Sequence, residues 1–309
     1  MKPQLTIAAT TVLVFIVASI VIGFSITKES NNKAPDFEEP IPPVEEQIPP
    51  PKPLPEPVPS PLDDRTVLEK EIDLYPTFYK EVSDNKCIPF VVQPKAANKK
   101  VNIVVIGYEQ ATLDDLKGDV NSTFFRQSLS LFNLEPFKSR QNDFNIWIYP
   151  SIIPHVSNTD YVDTTTQFYD ARRSCTAHAF IILGKYISRS SSGGGTNYRV
   201  AISRATTDSV AHELGGHAIG MLADEYADIT AKRLGRNITF AVYSKLNCDN
   251  SSACSKFSQV NIEGCFEGCH NYPGWYRTSS SSIMRSGGSF NKAQQFIINR
   301  RIDNLISKS

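Results

Sequence analysis

Hydrophobic residues form a continuous run near the amino terminus, followed by a proline-rich segment and then by shorter apolar stretches. From Leu5 to Ile26 the chain carries no charged side chain. At ~1.5 Å rise per residue, a helix of this length crosses a hydrocarbon layer of roughly 30 Å. The run exceeds the ~7–15 apolar residues of a cleaved signal peptide, and no clear small-residue cleavage site follows it. We therefore predict a cytoplasmic tip and transmembrane anchor over residues 1–30, with a cleaved signal peptide as the alternative.

In residues 31–65 the hydrophobic residues do not recur at the spacing of a helix or a strand. Twelve of the 20 prolines lie between Pro35 and Pro61, with glutamates scattered among them. Proline removes backbone donors and fixes φ, so this composition predicts an extended, semi-rigid, otherwise disordered stalk at about 3.1 Å per residue. A spacer is the simpler interpretation, and a ligand for a proline-binding module is the alternative.

Beyond residue 65 the apolar runs become short and are ended by Gly or Pro, a pattern typical of buried strands. Between the first two runs, apolar residues at helical spacing follow Thr112, a plausible N-cap. The order strand, helix, strand requires a crossover and a partly parallel sheet. We thus predict one α/β domain over residues 66–309, a mixed sheet with packed helices, whose strands are VNIVVIG (Val101 to Gly107), FNIWIYP (Phe144 to Pro150) and AHAFIILG (Ala177 to Gly184).

The second half of the domain begins with a polar, glycine-rich segment, Ser188 to Asn197, which predicts a mobile loop. YRVAIS (Tyr198 to Ser203) then predicts a strand at the sheet edge, and Thr206 or Thr207 is the expected N-cap of the next helix. A last helix is expected near Asn291 to Ser307, with one apolar face formed by Ile298, Ile302 and Leu305.

The stretch HELGGHAIGMLADEY contains two histidines five residues apart. On an α-helix each residue turns about 100°, so residues four apart share a face, whereas His212 and His217 would diverge by about 140°. A π-bulge, with its i to i+5 hydrogen bond, would return His217 to the face of His212. Gly215 and Gly216 lie where the bulge must form, and glycine accepts unusual dihedrals. We therefore predict a local π-bulge.

These residue types fit a hydrolytic zinc site, which needs neutral imidazoles, a third ligand and a carboxylate base. His212 and His217 are the expected ligands, and Glu213 is the expected general base. Asp224 is the expected third ligand, with Glu225 as the alternative, and the acid that is not used would support a histidine. Chance clustering on a surface helix is the competing interpretation, and structural roles are expected for the remaining histidines, His155, His178 and His270.

Composition adds two constraints. The formal net charge is zero, with 32 basic and 32 acidic residues. The chain therefore lacks the excess of positive charge that is typical of nucleic-acid-binding proteins. The cysteine count is six, and in an oxidising compartment disulfides are expected. Sequence locality favours Cys87 with Cys175 and the other four among themselves, whereas a structural zinc is the alternative for the cluster Cys248, Cys254, Cys265, Cys269 and His270.

The quoted helix resembles that of the IgA-peptidase-like metallopeptidases, the igalysin branch of the metzincins, which read HExGH followed by a segment ending LADEY. The resemblance continues through KKVNIVVIGYEQATLDDLKGDV, LEPFKSRQNDFNIWIYPS and AFIILGKYISRSSSGGGTNYRVAIS. RTSSSSIMRSGG is similar to the metzincin Met-turn. The likeness covers about residues 98–303, and the additional glycine in HELGGH departs from the family pattern.

The resemblance implies a metzincin-like zincin fold in which His212, His217 and Asp224 bind Zn²⁺. It implies that Glu213 acts as general base and acid, and that Met284 lies beneath the metal. Protein or peptide substrates are the implied partners. An oxyanion donor is also needed, and the sequence does not separate Tyr226, Tyr276 and Arg277.

The sequence thus predicts a membrane-anchored, single-pass, extracytoplasmic zinc endopeptidase, or a secreted one if the first segment is cleaved. An inactive surface-binding domain and an amidase acting on cell-wall peptides are the alternatives. Nothing in the sequence predicts an oligomeric state.

Overall fold

A computed structural model describes residues 63–75, 77–91, 99–156, 163–187, 190–193, 199–225, 246–270 and 272–308. The predicted anchor, the stalk up to residue 62 and Tyr226 lie outside these residues. Residues Pro61–Ser309 form one compact unit by their contacts. In the part of the chain that the structure describes, no helix is long and apolar enough to cross a membrane.

Six of the described strands are β1 (Ile88–Val91), β2 (Val101–Gly107), β3 (Phe144–Ile148), β4 (Ala179–Gly184), β5 (Ser191–Gly193) and β6 (Val200–Arg204). They build a mixed sheet in the order β1-β3-β2-β4-β6-β5. The four inner strands run parallel, and β1 and β5 pair antiparallel at the two edges. The α/β class and the mixed sheet are confirmed.

Both faces of the sheet are covered, and successive residues of a strand enter different cores because side chains alternate between faces. Ile103 and Val105 belong to the larger core, whereas Val104 and Ile106 belong to the smaller one. The helices packed around the sheet are α1 (Val67–Leu74), α2 (Leu113–Asn121), α3 (Thr166–Ser174), α4 (Thr207–Val210) and α5 (Lys292–Ser307).

Two helix predictions are confirmed. Thr112 caps α2 in a capping box with Asp115. Helix α5 starts after Asn291 and buries the predicted apolar face, Ile298, Ile302 and Leu305.

The strand predicted over Tyr198 to Ser203 is confirmed as β6, but its predicted position at the sheet edge is wrong. Strand β6 lies between β4 and β5, and the edge is β5, within the segment expected to be only a loop. Strand β5 joins the sheet through backbone hydrogen bonds of serines and a glycine, and such bonds leave no hydrophobic period in the sequence.

All six cysteines form disulfides, which excludes the structural-zinc alternative. The pairs are Cys87–Cys175, Cys248–Cys269 and Cys254–Cys265, so the predicted grouping is confirmed. A small antiparallel hairpin consists of β7 (Phe266–Cys269) and β8 (Tyr272–Arg277). The disulfides Cys248–Cys269 and Cys254–Cys265 link the segment before this hairpin to the hairpin itself and to the residue that precedes it.

Candidate metal centre

The segment that carries both histidines is a π-helix. Helix α4 follows Thr206, the N-cap, and continues as the π-helix Ala211–Ile219, which ends at Gly220. The amide of Gly220 donates to the carbonyl oxygen of Gly215, five residues earlier, at 3.0 Å. The predicted i to i+5 geometry is confirmed, and it extends over nine residues rather than one bulge.

The π-helix brings the two imidazoles together, and the segment after it adds Asp224. The Nε2 atoms of His212 and His217 lie 3.1 Å apart. The Oδ1 atom of Asp224 lies 3.2 Å from the first Nε2 and 3.4 Å from the second. Within the described residues, these three are the one group of His, Cys, Asp and Glu side chains with metal-binding spacing.

Backbone carbonyls fix both imidazole rings. The Nδ1 of His212 lies 2.9 Å from the carbonyl oxygen of Ile283, and the Nδ1 of His217 lies 2.7 Å from that of Leu222. A carbonyl oxygen only accepts, so each Nδ1 donates a hydrogen and each neutral ring presents its Nε2 lone pair to the other. With both rings neutral, the buried Oδ1 of Asp224 has no hydrogen-bond donor, whereas a protonated His212 donates to it from Nε2 across 3.2 Å.

Three converging acceptors require a cation or a proton between them. For Zn–N bonds of ~2.0–2.1 Å, tetrahedral ligand atoms are about 3.3 Å apart, close to the three observed separations. Neutral imidazole and carboxylate are ordinary zinc ligands, and three protein ligands leave one position open. The residues present therefore fit a zinc ion.

The carboxylates around the two rings favour a positive charge in the cluster. Burial lowers the pKa of His212, but the hydrogen bond with Asp224 and the charges of Glu213 and Asp224 outweigh burial and raise that pKa to about 9. Burial raises the pKa of Asp224, yet its contacts with His212 and His217 outweigh that effect and hold it well below its usual range.

Glu213 follows the first histidine on the same π-helix and is buried. Its charge acts on His212, as the raised pKa of that ring shows. Glu213 is therefore a buried acid that directly follows the first predicted ligand in the chain.

Glu225 does not join the cluster. Its carboxylate is fully buried and accepts hydrogen bonds from Ser282 Oγ at 2.6 Å and Asn247 Nδ2 at 3.1 Å. The expected direct hydrogen bond from the unused acid to a histidine does not form, because the carbonyls of Ile283 and Leu222 already accept both Nδ1 hydrogens.

Met284 packs directly against the π-helix. A Cβ added to Gly216 would lie 2.1 Å from the Met284 sulfur, and one added to Gly215 would lie 2.8 Å from Leu131 Cδ1. Neither glycine has a positive φ. The two glycines are thus needed for close approach rather than for the unusual dihedrals expected from the sequence.

The side chains of the other three histidines do not join the cluster. His178 is buried between the Asn102 amide and the Leu305 carbonyl, and His155 is exposed beside Glu109. His270 packs edge-on against Trp275, with ring centroids 6.0 Å apart.

Two of the three oxyanion candidates lie in the described residues. Tyr276 packs against the larger core, and the Arg277 guanidinium donates to the carbonyl oxygens of Glu267 and Gly268. These contacts do not connect either side chain with the metal cluster.

Sequence reasoning missed the residues that hold Asp224 in place. Asn247 accepts from the Ala223 amide at 2.7 Å and donates to the Ala223 carbonyl at 3.0 Å. The His270 amide donates to the Asp224 carbonyl at 2.8 Å. These contacts join segments more than 20 residues apart, so no local motif signals them.

The fold and the cluster together define an α/β protein with a His–His–Asp centre suited to a divalent metal ion. No protein-family model matches the chain, and no curated protein matches it.

Proposed function

We propose that this protein is a membrane-anchored, extracytoplasmic zinc-dependent endopeptidase with a metzincin-like domain. The observation that carries the proposal is the convergence of His212 Nε2, His217 Nε2 and Asp224 Oδ1 within 3.1–3.4 Å of one another. The resemblance of HELGGHAIGMLADEY to the igalysin helix supports it independently, because that resemblance concerns residue types and not their positions in space.

Zn²⁺ would be held by His212, His217 and Asp224, and when bound it polarises a scissile carbonyl and lowers the pKa of a water molecule. We assign to Glu213 the role of accepting the proton of the attacking water and passing it to the leaving amine, because it is a buried carboxylate that directly follows His212 on the π-helix. Its burial strengthens its electrostatic interactions with neighbouring groups, since the surroundings have a low dielectric constant.

The membrane location rests on the sequence from Leu5 to Ile26, which lies outside the described residues. Substrates would then be proteins or peptides on the outer side of the membrane. Nothing in the charge distribution favours a nucleic acid as a partner.

The two alternatives differ in what they predict for the same centre. An inactive binding domain was suggested by the extra glycine, which on an α-helix would separate the histidines. The π-helix removes that reason, since the two Nε2 atoms converge. An amidase acting on cell-wall peptides would use the same donors, so only the substrate distinguishes it.

The test compares the full-length chain, purified in mild detergent, with its Glu213→Gln variant. We expect one zinc per chain in both, chelator-sensitive cleavage of denatured casein by the first, and a rate lower by about 10²–10⁴ in the second. Asp208→Asn, which removes an exposed carboxylate at the start of the same helix, is the matched control and should cleave normally.

Unchanged cleavage by Glu213→Gln would refute the proposed mechanism. Release of cell-wall peptide fragments without casein cleavage would favour the amidase. Zinc binding without either activity would favour the binding domain.

A further inference from the structure

The three donor atoms of the metal centre come from segments that other parts of the chain must hold in register. His212 and His217 lie on the π-helix, whereas Asp224 follows a turn in which Met221 has a φ of 56°. The carbonyl that orients His212 belongs to Ile283, in a turn about 70 residues further along the chain. The centre forms only if the segment 221–225 and the turn around Ile283 are fixed relative to the π-helix.

Glu225 belongs to the segment 221–225 and contacts the turn around Ile283. Its amide donates to the Met284 carbonyl at 2.8 Å, and its Oε2 accepts from the Ser282 hydroxyl at 2.6 Å. These two contacts bracket Ile283, the partner of His212. Its Oε1 accepts from Asn291 Nδ2 at 3.4 Å, which adds the N-cap of α5.

The same carboxylate also fixes the side chain that clamps the ligand segment. Asn247 Nδ2 donates one hydrogen to Glu225 Oε1 and one to the Ala223 carbonyl, while its Oδ1 accepts from the Ala223 amide. Both ends of the Asn247 amide are therefore committed, and its orientation is determined. Ala223 directly precedes Asp224, so the clamp fixes the backbone of the third donor.

A buried carboxylate surrounded by neutral donors is costly, since desolvation of the charge must be offset by hydrogen bonds. Glu225 is fully buried, and burial raises its pKa while its hydrogen bonds with Ser282 and Asn247 lower it. An apolar residue of similar size would avoid the desolvation cost but would leave Ser282 and Asn247 without their acceptor.

We propose that Glu225 is a positioning residue of the metal centre, which holds Asp224 and the His212-orienting turn together through Asn247 and Ser282. The proposal rests on the proposed zinc site and goes beyond it, since Glu225 itself binds no metal. Supporting residues of this kind typically change metal affinity 10- to 100-fold when they are removed.

The test measures zinc affinity of the full-length chain by competition with a chromophoric chelator, alongside the absorption spectrum of the Co²⁺-loaded form. For Glu225→Ala we expect the zinc dissociation constant to rise about 10- to 100-fold and the Co²⁺ spectrum to change. Glu225→Gln keeps one acceptor oxygen for Asn247 and should lose less. Asn247→Ala, which removes the clamp but keeps Glu225, should weaken zinc binding in the same way if Glu225→Ala does not fold.

Asn145→Ala is the matched control, because it removes a buried hydrogen bond to Asn102 within the sheet, away from the cluster. It should lower thermal stability but leave the zinc affinity and the Co²⁺ spectrum unchanged. Wild-type zinc affinity in both Glu225→Ala and Asn247→Ala would overturn the positioning role alone. Absence of zinc binding by the wild-type chain would instead overturn the proposed function and this role with it.

Discussion

At the scale of single residues, Gly216 decides whether the π-helix and the Met284 turn can touch. The glycine lacks the Cβ that would lie 2.1 Å from the Met284 sulfur, closer than atoms approach without displacement. Overpacking a core position in this way costs about 1–3 kcal/mol. We expect Gly216→Ala to lower the free energy of unfolding by this amount and to weaken zinc binding, measured by denaturant unfolding and chelator competition.

Gly118→Ala provides the control for a helical glycine with no close neighbour. A Cβ there meets nothing within 4 Å, so the substitution should stabilise α2 by about 0.5–1 kcal/mol. Truncating Met284 in the Gly216→Ala background should recover part of the lost zinc affinity. Equal effects of the two glycine substitutions would show that contact with Met284 is not the cause.

His178 gives a pH dependence that is separate from the metal centre. Burial lowers its pKa to about 4, although the Leu305 carbonyl raises it slightly, against about 6.5 in an unfolded chain. The folded state therefore prefers the neutral ring, so the stabilisation is complete above pH ~6.5 and is lost as the pH falls toward 4. The loss amounts to about 3 kcal/mol.

We expect the free energy of unfolding of chelator-treated protein to fall between pH 6.5 and 4, and His178→Gln to remove that part of the slope. His155→Gln changes an exposed ring and should leave the slope intact. A His178→Gln profile parallel to that of the wild type would contradict the assignment.

At the scale of elements, the disulfide Cys248–Cys269 fastens the two segments that hold Asp224. Cys248 follows Asn247, which clamps Ala223, and Cys269 precedes His270, whose amide binds the Asp224 carbonyl. Removing both cysteines should let these segments separate. We expect Cys248→Ser with Cys269→Ser to weaken zinc binding about tenfold or more, comparable with loss of a supporting contact.

The disulfide Cys87–Cys175 supplies the control. It closes a separation of 88 residues rather than 21, so its loss should destabilise the fold at least as much, by about 2–5 kcal/mol. It lies against the smaller core on the other face of the sheet. Its removal should leave zinc affinity unchanged, and a loss of affinity equal to that of the first pair would indicate only general destabilisation.

Elements with a strong local signal could be predicted from the sequence, whereas those formed by backbone pairing could not. The runs beginning at Val101 and Phe144 became strands because short apolar segments need burial on both faces. Thr112 marked a helix start because its side chain satisfies an otherwise unpaired amide. Strand β5 gave no signal, since Ser191 to Gly193 joins the sheet only through its backbone.

The candidate site divides in the same way. His212, Glu213 and His217 were identified because their chemistry and spacing lie within one helix, and the π-geometry followed from the five-residue interval. Asn247 and the role of Glu225 were missed, because their contacts depend on how distant segments pack. Residue types and their spacing therefore predict the chemistry of a site within one helix, whereas the contacts that position the site form only when distant segments pack together.

At the scale of the whole molecule, zinc should act as a cross-link between the π-helix and the segment that follows it. Without a metal ion, only a proton on His212 separates the Nε2 atoms from the Asp224 carboxylate, and one proton joins these buried acceptors less completely than a metal ion bound to all three. A ligand that binds only the folded state stabilises it by about 2.7 kcal/mol at a hundred times its dissociation constant. For a unit of roughly 250 residues this corresponds to an increase in Tm of about 5–10 °C.

We therefore expect chelator treatment of the full-length chain to lower its Tm by about this amount, and stoichiometric zinc to restore it. Scanning calorimetry with parallel metal analysis provides the measurement. In a His212→Ala, His217→Ala double variant the Tm should no longer respond to zinc, whereas His155→Ala should respond normally because its ring is exposed and does not belong to the cluster. A zinc response that survives the double variant would place the bound metal elsewhere and would separate the His–His–Asp cluster from the stability of the fold.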